Sequence, residues 1–110
     1  KLAKLPAEQR RRRVAELLDL VGLAGFERRQ VTDLSGGEAK RVALARSLAP
    51  APRVLLLDEP LAALDRDLHD RLAGDLAAIL RAERITAVLV THDLDEARTI
   101  ADRVVGLSSL

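Results

Sequence analysis

Three short groups of residues carry the chemistry in this sequence. Asp58-Glu59 follows the apolar run Val54 to Leu57, and Thr91-His92-Asp93 follows a second apolar run, Ala87 to Val90. Ser35-Gly36-Gly37 precedes a segment with helical patterning. An acidic pair emerging from an apolar strand is costly unless a metal or a proton compensates it. A magnesium ion held by Asp58, directly or through water, would do so, leaving Glu59 to orient or deprotonate an attacking water. The plainer alternative is a polar loop, with Glu59 ahead of a turn at Pro60 and His92 a hydrogen-bonded histidine near a helix N-terminus. Two glycines at a helix start expose backbone N–H groups that, with the helix dipole, suit an anion. An ordinary glycine-containing turn before a capped helix would look the same.

The elements that must position these groups can be read from periodicity. Pro6 suits a first helical turn, and Val14, Leu17, Leu18 and Val21 recur on one helical face until Gly22 and Gly25 break the pattern. Ser35 with Glu38 is a capping-box signature, opening a helix through Val42, Ala45, Leu48 and Ala49 that Pro50 and Pro52 end. Val54 to Leu57 and Ala87 to Val90, apolar without alternation, read as parallel strands buried on both faces. Between them Asp65 caps a predicted helix whose Leu68, Leu72, Leu76, Ile79 and Leu80 share a face. Asp93 with Glu96 starts a short helix through Ile100, and Val104, Val105 and Leu107 suggest a third strand. Strand, helix, strand, helix, strand is the pattern of an α/β fold with a parallel sheet, here with a helical layer at its N-terminal side. In such sheets ligands sit beyond the carboxyl ends of the strands, where both polar groups fall.

Composition narrows the classes. The 110 residues are 48% hydrophobic and 32% charged, which fits a small globular unit whose core is built from Leu, Val, Ile and Ala, since Phe26 is the lone aromatic. Without cysteine there is no disulfide, zinc finger or thiol catalysis. A net charge of +1 offers no field for nucleic acid, and the basic run Arg10 to Arg13 reads as a solvated helix face beside Glu8, Glu16 and Asp19. No apolar run approaches the ~18 residues of a membrane span, so any membrane role is expected to need a separate partner.

Taken together, the motifs resemble those of the ATP-binding-cassette (ABC) family, a branch of the P-loop NTPases, over nearly the whole chain from about Val14 onward. Leu34-Ser35-Gly36-Gly37-Glu38 is similar to its signature motif, and Val54 to Pro60 to its Walker B strand with the catalytic glutamate. Leu61 to Asp65 resemble the D-loop and Thr91-His92-Asp93 the switch-histidine loop. The resemblance implies a helical signature-motif region over about 1–50 and a Walker B, D-loop and switch-histidine part over about 51–110. It also implies ATP and Mg2+ as ligands. By that analogy Asp58 serves the metal, Glu59 is the general base, and His92 contacts the γ-phosphate in its own subunit. Ser35, Gly36, Gly37 and Glu38 face a nucleotide held by a second nucleotide-binding domain in a head-to-tail dimer, and Asp65 couples the two sites.

The implied function is ATP hydrolysis driving solute transport, of importer type, at the cytoplasmic face of the membrane through transmembrane permease subunits. Two alternatives stay open: a DNA-repair or chromosome-maintenance ATPase of the same family, and a non-catalytic remnant. Glu38 stands where transporters commonly carry glutamine, and Ala62-Ala63 replaces a more usual serine-containing D-loop. No glycine here is followed by lysine, so the 110 residues contain no P-loop, nor the Q-loop or adenine-stacking aromatic of the family. Both ends therefore read as truncated, and the chain alone is expected not to hydrolyse ATP.

Overall fold

The computed structural model describes residues 6–107. It contains α1 (Ala7–Leu20), α2 (Gly36–Leu48), β1 (Val54–Asp58), α3 (Arg66–Ala82), β2 (Thr86–Val90) and α4 (Leu94–Ile100), with two short 3-10 turns between α1 and α2. The two strands pair in parallel, Val54 opposite Thr86 and Asp58 opposite Val90, with α3 as the connection. This is a mixed α/β arrangement with parallel strands, as the strand–helix–strand order of the sequence implies.

Helix boundaries follow local chemistry. α1 starts after Pro6 and ends in a Schellman motif: Gly22 takes φ +81°, its N–H donates to the Asp19 carbonyl, and the Leu23 N–H donates to the Leu18 carbonyl. α3 begins at Asp65, whose carboxylate accepts from the Leu68 N–H, and ends in the same motif. There Arg84 takes the left-handed position at φ +55°, and the Ile85 N–H donates to the Leu80 carbonyl. Ile85 is thereby buried and leads the chain straight into β2.

One core joins the helices to the inner side of the sheet. Leu17, Leu18, Val21, Leu44, Leu48, Leu57, Leu61, Leu72 and Leu76 are all buried within it. Arg13 ties three elements together: its guanidinium donates to the Leu48 and Ala49 carbonyls at the end of α2 and pairs with Glu83 at the end of α3.

Two sequence expectations fail here. The strands are not buried on both faces: Leu55 and Leu57 point into the core, whereas Val54 and Leu56 are 69% and 70% exposed, with Val88 and Val90 open on the same pair. An unbroken apolar run states that both faces are greasy, and among the described residues helices cover only one of them. The third strand also does not form. Val104 and Val105 are exposed and pair with neither strand, and Leu107 lies in a 3-10 turn, so the sheet of the described residues stays two-stranded.

Candidate functional site

The in-register ends of β1 and β2 bring the two polar groups together. Glu59 follows Asp58 directly and adopts φ +49°, a conformation unfavourable for a residue with a Cβ. That turn lets its N–H donate to the Val90 carbonyl at 2.8 Å and sends its carboxylate back across the strand ends. There Glu59 Oε1 accepts from the His92 backbone N–H at 3.0 Å, with the His92 Nε2 3.8 Å away. The His92 ring is otherwise open to solvent. A backbone donor in the neighbouring loop thus orients the Glu59 carboxylate.

The remaining expected residues fall around this pair without all meeting it. Asp58 ends β1 at the surface, and the Lys40 ammonium of α2 reaches the Asp58 and Glu59 carbonyl oxygens at 3.4 Å each. Asp65 is exposed and serves as the cap of α3. Ser35, Gly36, Gly37 and Glu38 form the start of α2 and do not line the cleft at the strand ends, although a Cβ on Gly37 would stand 4.0 Å from the carbonyl oxygen of Ala62, which does. The Ser35 hydroxyl accepts from the Glu38 N–H, and Glu38 Oε1 accepts from the Ser35 N–H, both at 3.1 Å, so the capping box is complete. A Cβ on Gly36 would meet nothing within 4 Å. Ser35→Ala should lower stability by about 1 kcal/mol, read as a fall in the urea midpoint of the full-length protein. An unchanged midpoint would mean that the hydroxyl does not cap the helix.

The cleft at the strand ends has a volume of about 600 Å3. Glu59, Arg66, His69, His92, Asp93 and Glu96 line it together with the Leu61–Leu64 loop. Arg66 and His69 carry no expectation from the sequence, and Glu96 only that of a capping partner for Asp93. His69 donates through Nε2 to Glu96 Oε1 at 2.7 Å, and Arg66 Nη2 donates to Asp93 Oδ2 at 2.9 Å. Asp93 Oδ1 caps α4 by accepting from the Glu96 N–H. The backbone donor from Glu96, with the nearby Arg66 and His69, holds the Asp93 carboxyl below the usual aspartate range. Burial works against a charged His69, but the hydrogen bonds to Glu96 and Asp70 and the charges of Glu96 and Asp93 prevail and raise its pKa. A signal for His69 exists in the sequence: with Leu72, Ala73 and Leu76 it occupies the i, i+3, i+4, i+7 face that α3 buries. A histidine on such a face needs a partner. The Asp93-to-Glu96 spacing, in contrast, reads equally well as a capping box, yet only the Asp93 half forms, because the Glu96 side chain turns to His69.

Known proteins resemble this chain in sequence and in fold. The chain is 59% identical over 93 residues to the Fe(3+) ions import ATP-binding protein FbpC of Streptomyces avermitilis, covering 84% of this chain and 27% of that protein. It is 50% identical over 109 residues to the spermidine/putrescine import ATP-binding protein PotA of Acidothermus cellulolyticus, covering 99% of this chain and 28% of that protein. The chain thus spans between a quarter and a third of the length of the curated relatives it matches. Among solved structures, the dimeric post-hydrolysis state of the ATP-binding cassette MJ0796 bound to ADP and Pi superposes with a TM-score of 0.74 at 36% identity, over 86% of this chain and 41% of that one. An inward-facing metal-chelate type ABC transporter does so with a TM-score of 0.65 at 30% identity, over 89% of this chain and 40% of that one. The ABC transporter family model matches residues 3–62. With that match, which spans just over half of its residues, the chain belongs to the ABC transporter family.

Proposed function

We propose that the full-length protein is the ATP-hydrolysing subunit of a solute importer. In this reading the first fifty residues supply its signature-bearing helical part, and residues 51–110 supply the Walker B and switch-histidine part. The observation that carries the reading is the Glu59–His92 contact. A carboxylate at the end of one parallel strand is oriented by the loop that leaves the next, at the place where such sheets hold their ligands. Glu59 takes a proton from the attacking water as it closes on the γ-phosphate of ATP, and the His92 ring, free to turn in solvent, donates to a γ-phosphate oxygen.

Asp58 has the right chemistry for Mg2+: an oxygen donor at the surface beside Glu59, with Lys40 bonded to its backbone carbonyl. Bound there, the ion would offset charge on the phosphate oxygens. Ser35, Gly36, Gly37 and Glu38 offer the N-terminal N–H groups of α2 to a nucleotide held by a second cassette, and Asp65, at the end of the Leu61–Leu64 loop, links that interface to the cleft. Transmembrane permease subunits would carry the solute. No helix among the described residues is long and apolar enough to cross a membrane, and in this reading the subunit docks on its permease at the cytoplasmic face.

Import rather than DNA handling is favoured by the relatives, which are named for import of iron, polyamines or sulfate. The test is phosphate release by the full-length protein. Chelating Mg2+ should abolish it and readdition restore it, and reconstitution with the permease should couple it to solute uptake. Hydrolysis that persists in chelator, or stimulation by duplex DNA in place of uptake, would overturn the reading.

A further inference from the structure

Glu96 is a carboxylate that the motifs do not explain. It is 3% exposed, and its Oε2 is buried with no hydrogen-bond partner among the described residues. Its Oε1 meets His69 Nε2 at 2.7 Å, and His69 is itself 6% exposed. An ionised carboxylate so enclosed needs a compensating charge, and His69 is the group placed to supply it. Its other ring nitrogen lies 3.1 Å from Asp70 Oδ1 and 3.4 Å from Arg66 Nη1. Asp93 has both oxygens engaged, Oδ1 with the Glu96 N–H and Oδ2 with Arg66.

The connectivity matters more than the pair. His69 sits one turn into α3, four residues after Asp65, and Glu96 sits one turn into α4, four residues after His92. Two links therefore join the start of α3 to the start of α4, Arg66 to Asp93 at the cleft mouth and His69 to Glu96 beneath it. The first is exposed and weak. The second is buried and charge-assisted.

We propose that His69 is a positioning residue, whose bond to Glu96 sets the His92–Asp93 turn against Glu59 and the Asp65 end of α3. The proposal rests on the reading of Glu59 and His92 as hydrolytic residues. The groups facing the imidazole are Arg66 and Asp70 on α3, Asp93 in the turn and Glu96 on α4; Glu59 and His92 share the same cleft. Their balance, net negative, raises the His69 pKa above 6.5. A raised histidine pKa means that the charged bond is complete well below 6.5 and fades as pH climbs through the raised value. The turn should therefore loosen on the alkaline side.

The experiment compares His69→Gln and His69→Arg with the wild type in the full-length protein, recording kcat and KM for ATP against pH, together with the imidazole titration of His69 by NMR. The wild type should lose kcat on the alkaline side with little change in KM. His69→Gln should lower kcat roughly five-fold at acidic and neutral pH and flatten that limb. His69→Arg, always charged, should keep kcat high into the alkaline range. In the NMR experiment, Glu96→Gln should bring the His69 titration down. Profiles that superimpose, a uniform loss with the limb unchanged, or a His69 that titrates at or below 6.5 would overturn the proposal. The titration does not depend on turnover, so a failure of the hydrolytic reading, seen as full activity in Glu59→Gln, is distinguishable from a failure of this one.

Discussion

Replacing Glu59 by glutamine in the full-length protein should slow ATP hydrolysis by about 10²- to 10⁴-fold, the range for loss of a positioned general base. The substitution separates chemistry from structure. A glutamine carbonyl oxygen can still accept from the His92 N–H, and the chain at residue 59 keeps the same φ +49° with a side chain of the same size. Nucleotide affinity should therefore stay within about three-fold of wild type, because the interaction removed belongs to the transition state rather than to the bound substrate. Single-turnover phosphate release and equilibrium ATP binding check the two halves. A loss of rate below about ten-fold would move the proton acceptor away from Glu59. A parallel loss of binding would instead mean that the side chain supports the fold of the strand ends.

The largest effect on stability is expected at Leu48. It is fully buried at the last turn of α2, among Leu17, Leu18, Leu44 and the rest of the core, and its own carbonyl is held by Arg13. Leu48→Ala removes side-chain volume from a fully enclosed place in the core, and the change should cost about 2–5 kcal/mol. Arg46→Ala, two residues away on the exposed side of the same helix, should stay within about 0.5 kcal/mol. Urea denaturation of both variants in the full-length protein tests the contrast. Equal midpoints would deny that α2 is anchored through this face.

Much of this was legible because the relevant signals are local. Capping residues Ser35, Asp65 and Asp93 mark their helix starts, and each side chain accepts the expected N–H. Glycine at 22 marks the end of α1 for the same reason, whereas Arg84 ends α3 in the same motif without any glycine to announce it. The strand ends were legible as a site because Asp58-Glu59 and Thr91-His92-Asp93 interrupt apolar runs. What was not legible depends on distance in the chain. The identity of the Glu96 partner, 27 residues away on another helix, is set by how α3 packs on α4. The bareness of Val54 and Leu56 is likewise a matter of what lies opposite them, which an apolar run cannot state.

The Arg13 contact has a kinetic consequence. Arg13 and Glu83 are 70 residues apart in the chain, and their pairing brings the ends of α2 and α3 to the middle of α1. Closing a loop of that length without intervening structure is entropically slow, so the pair should form only after the βαβ unit and the α1–α2 hairpin have each been assembled. A contact made that late contributes little to the folding barrier and much to the unfolding one. Arg13 thus acts as a latch on an assembled molecule: removing it should leave the refolding rate nearly intact and shorten the lifetime of the folded state.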